Sequence, residues 1–116
     1  MKQINIITQE GSGITNSKLK DEISKRCPNP QSPCTIIFRI GENLQSFNAV
    51  VDIFTKKGFI VQEFVDDFMC VLSREKDVIN ESVKIERNQV QIQAWKDTLL
   101  DLCDDLADHC KEFVGN

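Results

Sequence analysis

The chain has 116 residues, of which 41% are hydrophobic, a formal net charge of -4 and a pI near 4.9. That length suits a single domain, 1–116, with one core that needs neither staples nor metal, because two independent domains would each be too small. The acidic balance excludes a general nucleic-acid binder, which needs a basic patch to displace counterions from phosphates.

No run approaches the roughly 18 apolar residues of a membrane span, and the start, Met1 to Ile7, lacks an apolar segment long enough for a signal peptide. A cytoplasmic location is therefore expected. Five cysteines, an odd number, fit a reducing compartment in which they act as small buried hydrophobes.

Lys2 to Thr8 alternates apolar and polar residues as a short strand does. After Gly11 and Gly13, any of Thr15, Asn16 and Ser17 can cap a short polar helix carrying Leu19, Ile23 and Cys27 at four-residue steps. Lys18, Lys20, Lys25 and Arg26 are interrupted by Asp21 and Glu22, the pattern of a solvated helix face. Pro28, Pro30 and Pro33 impose a loop. Thr35 to Ile40 is a β-branched and aromatic strand ending at Gly41.

A helix follows, with Asn43 as N-cap, Leu44, Phe47, Val50, Val51 and Phe54 on one face, and Gly58 beyond its end. Phe59 to Val65 and Phe68 to Ser73 form a hairpin across Asp66 and Asp67. From Arg74 to Arg87 the pattern is weakest: a loop plus a short edge strand at Val83 and Ile85 is favoured over a backward extension of the last helix.

The run from Asn88 to Phe113 places Ile92, Trp95, Leu99, Leu102, Cys103, Leu106, Cys110 and Phe113 at steps of three and four, the stripe of a long amphipathic helix. Asp97, Asp101, Asp104, Asp105, Asp108 and Glu112 fall on the opposite side. The order of elements implies an α+β fold: a mostly antiparallel sheet of four to five strands, covered by two or three helices, ferredoxin-like or a variant.

Several motifs resolve into bland readings. Gly11, Ser12 and Gly13 match neither phosphate-loop pattern. Cys27 and Cys34 are too far apart for a zinc knuckle, and two free thiols are favoured over a disulfide, which the loop could close if oxidised. Trp95 reads as core. Asp105 and His109, one helical turn apart, offer a metal or catalytic pair, but two ligands fall short of the three or four that zinc takes. No cofactor and no catalytic constellation is expected.

The run TIIFRI, the helix after it, the Lys57, Gly58, Phe59 junction, the hairpin and the acidic last helix resemble the regulator of ribonuclease activity B family. Its members are small acidic bacterial proteins of ferredoxin-like fold that bind and inhibit a large ribonuclease. No residue role carries over from it.

The carboxylates leave the sharpest functional expectation. A row of acids is recognised by a basic partner, because complementary fields speed encounter and reject wrong partners. The expected docking residues are Asp97, Asp101, Asp104, Asp105, Asp108 and Glu112, with Glu63, Asp66 and Asp67 as a second patch. The protein is thus expected to be an immunity protein or inhibitor of a nuclease-type toxin. The alternatives are a phage or mobile-element inhibitor of a nucleic-acid-targeting defence complex, and a small metal-binding or enzymatic domain around Asp105 and His109.

Overall fold

The computed structural model of the protein describes residues 15–114 other than Asp67, and the strand expected at Lys2 to Thr8 lies outside them. Helix α1 (Asn16–Arg26) begins where the Thr15 hydroxyl accepts from the Lys18 amide, satisfying one orphan donor of the first turn. It buries Leu19 and Ile23. The proline loop turns the chain back, and strand β1 (Cys34–Arg39) follows.

That reversal brings Cys27 and Cys34 to a Cα separation of 5.8 Å, and the two are joined in a disulfide. The expectation of two free thiols is corrected here: a sequence separation excluded a zinc knuckle but carried no information about how closely the loop folds back.

Helix α2 (Leu44–Lys56) forms where its pattern dictates, except that Leu44 of the expected apolar face is exposed. The Asn43 side chain accepts from the Ser46 amide at 2.8 Å, and Phe47, Val50, Val51 and Phe54 are buried. Gly58 takes a φ of 97° just beyond the end, where a β-carbon would be strained. Strands β2 (Ile60–Asp66) and β3 (Met69–Lys76) then pair as the expected antiparallel hairpin.

The next stretch differs from expectation. Residues read as loop and as the start of a long helix form strands β4 (Ile79–Glu86) and β5 (Gln89–Ala94). The period is two: Glu81, Val83 and Ile85 are buried on β4, and Val90, Ile92 and Ala94 on β5, with Gln89, Gln91 and Gln93 between them. Ile92 is the inward residue of a strand that happens to stand three places before Trp95 and seven before Leu99.

The last helix, α3 (Lys96–Leu106), is therefore 11 residues long and buries Thr98, Leu99, Leu102, Cys103 and Leu106. Cys110 lies beyond it, and Phe113 belongs to a short strand β6 (Glu112–Phe113) beside β1.

Among the described residues the result is an α+β fold with a six-stranded open sheet, rather than the four to five strands expected, in the order β2-β3-β4-β5-β1-β6, antiparallel at every junction, and three helices. This order departs from the ferredoxin-like arrangement, because the β4–β5 hairpin stands between β1 and β3. Inward residues Ile36, Phe38, Cys70, Leu72, Val83, Ile85, Val90 and Ile92 pack with the buried residues of all three helices in one core. Residues directly opposite in an antiparallel ladder share a face, so Ser73, Ser82, Gln93 and Thr35 form a polar row on the other side.

Candidate functional site

The expected acidic residues are distributed over three places. Asp97, Asp101, Asp104 and Asp105 line the exposed side of α3, opposite its buried stripe. Asp108 lies in the turn after that helix, and Glu112 in β6 pairs with Arg39 at 3.0 Å. Glu63 is exposed on β2, Asp66 ends that strand, and Asp67 is outside the described residues. The single acidic helix face is thus shorter than expected, since the helix stops at Leu106.

Nor are its carboxylates bare. Lys57, the C-cap of α2, places its Nζ 3.4 Å from Asp101 and 3.6 Å from Asp105. Lys76 of β3 reaches Asp97 at 3.4 Å, and the Asn16 side chain donates to Asp104. Solvent-exposed ion pairs of this kind contribute about 0–1 kcal/mol each. They are weak enough for a better-placed cation to displace.

Asp105 and His109 have different surroundings. Asp105 faces Lys57, while His109, in the turn beyond α3, lines a hollow of about 480 Å³ with Asn43, Ser46, Ala49 and Asp108. Among the described residues no group of three or more His, Cys, Asp or Glu side chains is placed to hold a metal ion. The free thiols are buried. Burial pushes Cys103 up to about 11 and Cys110 up to about 12, and raises Cys70 as well. The thiolate is the reactive form, so these side chains act as core hydrophobes.

Residues singled out by no sequence pattern organise the support beneath α3. Glu81 is fully buried on β4, and its Oε1 accepts from Arg74 Nε at 2.8 Å. The other Arg74 nitrogens donate to the Lys57 carbonyl at 2.6 Å and to Thr98 Oγ1 at 3.3 Å, and the guanidinium lies 4.7 Å from the centre of the Phe59 ring. Glu81 Oε2 accepts from the backbone amide of Trp95, the N-cap of α3, at 3.1 Å. Trp95 has no capping side chain of its own. A carboxylate from the sheet therefore supplies both the acceptor and the negative charge that a helix N-terminus favours.

Trp95 itself is half-buried rather than core. Its Nε1 donates to the Lys76 carbonyl at 2.9 Å, and with Lys96, Asp97 and Leu100 it forms one wall of a hollow of about 530 Å³ opposite Pro30, Gln31 and Asp77. The signal for Glu81 was present: it falls in the inward phase of Val83 and Ile85. A charged residue in that phase needs a buried partner.

No helix among the described residues is long and apolar enough to cross a membrane. Comparison of the chain with protein-family models, with curated proteins and with solved structures finds no match.

Proposed function

We propose that the protein is a stoichiometric binding protein, not an enzyme, that neutralises a positively charged partner protein, as an immunity protein or inhibitor of a nuclease-type toxin does. The observation that carries this reading is the exposed line of Asp97, Asp101, Asp104 and Asp105 on a helix that the Arg74–Glu81 pair locks to the sheet. Charge held on a rigid element is presented without an ordering cost at the moment of binding. Lys57 and Lys76 hold these carboxylates in loose pairs that an arginine of the partner, with its bidentate fork, can replace. The Cys27–Cys34 bond favours an oxidising compartment over the cytoplasm for the encounter.

The test is affinity capture from the source cells with the tagged chain at low and high salt, in parallel with a variant carrying Asn at 97, 101, 104 and 105. A basic protein retained at low salt, released at high salt and lost with the variant is the expected result. The Lys57→Ala chain, which frees Asp101 and Asp105, is expected to associate faster. Capture indifferent to salt, to the four Asn substitutions and to Lys57 would refute the reading.

A further inference from the structure

Strand β2 is one end of the sheet among the described residues and is paired along β3 only. An edge strand leaves alternate backbone N–H and C=O groups without a ladder partner, and proteins usually blunt such edges with lysine, proline, brevity or a bulge. β2 runs for seven residues and contains neither lysine nor proline. Three of its four apolar side chains face outward instead, Val61 packing against the core: Ile60 is 65% exposed, Phe64 57% and Val65 52%. Three of the five exposed large hydrophobic residues among those described thus lie on this one strand, which marks a contact surface rather than scattered surface apolarity.

The ladder explains how two neighbours in sequence are both exposed. Its register shifts between Val61 and Glu63 and again between Phe64 and Asp66. A bulge inserts an unpaired residue and re-aims the side chains around it, so the alternation that would hide either Phe64 or Val65 is broken.

The charge on this edge selects the occupant. From Gly58 to Ser73 the sequence holds Glu63, Asp66 and Asp67 and no lysine or arginine. Glu63 makes no ion pair among the described residues, whereas Asp97, Asp101 and Asp105 on α3 are each held by a lysine. Glu63 is therefore an acid at the strand edge that no described cation neutralises. A second copy of the chain is a poor occupant, because it would bring the same acids against themselves.

We infer that the β2 edge takes up an extended segment of a partner protein in which basic and apolar residues alternate, as an added strand. Main-chain hydrogen bonds hold such a segment, and alternate side chains set its specificity. Its apolar residues meet Ile60, Phe64 and Val65, and its cations meet Glu63.

The experiment uses the full chain, labelled for amide NMR, and a short synthetic peptide alternating lysine with valine; its counterpart has glutamate in place of lysine. The expected result is slowed hydrogen exchange of amides in 60–66 with the lysine peptide and none with the glutamate peptide. Glu63→Lys should weaken the lysine peptide by about tenfold or more, a change of at least ~1.4 kcal/mol, and Phe64→Ser should weaken it as well. The Asp101→Asn, Asp105→Asn chain should bind it as the parent does.

Three results overturn the inference. The β2 amides could already be fully protected in the free chain, which would mean that another part of the chain covers them. The free chain could be a dimer that Glu63→Lys disperses, which would assign the edge to a second copy. The peptide could depend on Asp101 and Asp105 instead of Glu63, which would sink the edge site and leave the α3 surface standing.

Discussion

Glu81→Ala removes a carboxylate that is fully buried and serves two donors, Arg74 Nε and the Trp95 amide. Breaking a buried ion pair from one side costs about 3–5 kcal/mol, because the surviving charge is left in a poor solvent. The Arg74 side chain keeps 24% of its exposure, so some water still reaches it and the lower end, about 3 kcal/mol, applies. The Trp95 amide left without an acceptor at the start of α3 adds about 1 kcal/mol.

A loss near 4 kcal/mol is a large part of the roughly 5–15 kcal/mol that holds a domain together. It corresponds to a fall in Tm of about 15 °C at this chain length. Urea unfolding of the single variants Glu81→Ala and Arg74→Ala and of the Arg74→Met, Glu81→Leu double variant measures it. The double variant should lose far less than the summed singles, since apolar replacement of both partners removes the stranded charge. A cost below about 1 kcal/mol for Glu81→Ala, or simple additivity, would refute the view that this pair anchors α3.

Two further outcomes follow from local geometry. Asp77 and Val78 turn the β3–β4 hairpin with φ of 51° and 65°, and Val78 is 92% exposed; a β-branched residue is strained there while glycine is not, so Val78→Gly should stabilise by about 1 kcal/mol. A destabilised variant in a thermal melt would contradict the left-handed turn. The Cys27–Cys34 bond closes a short loop, and its removal in the Cys27→Ser, Cys34→Ser chain should cost about 2–3 kcal/mol by loop-closure entropy. Thiol titration under denaturing, non-reducing conditions should find three free thiols in the parent chain, those of Cys70, Cys103 and Cys110; five would show that the bond is absent.

What the residues revealed in advance depended on whether the determining contacts were local. Helix α2 was legible because Asn43, its apolar face and Gly58 lie within one short segment and each acts on its own neighbours. The β2–β3 hairpin was legible for the same reason. β4 was half seen: Val83 and Ile85 alternate, but Glu81 in their phase disguised a central strand as an exposed one.

β5 was hidden by an accident of spacing, in which the inward residues of a strand and the buried stripe of the following helix joined into one apparent period. The acidic side of α3 was visible, yet its neutralising partners were not, because Lys57 and Lys76 come from 44 and 21 positions away from Asp101 and Asp97. The disulfide was the less favoured of two readings, because how closely the proline loop folds back on itself is not set by the separation of its two cysteines.

The position of β1 has a consequence for how the molecule reaches this form. It lies between β5 and β6, so an early strand is flanked on both sides by late ones, and its first hydrogen-bonded neighbour in chain order, β5, is reached only after the chain has passed through α2 and three more strands. Among the described residues β1 has no ladder to join until β5 exists. Assembly is bound to wait for long-range closure, the slow kind of search in which entropy is lost before contacts reward it. The β2–β3–β4–β5 meander, built from successive neighbours, is the part able to form first and to act as the template on which β1 docks.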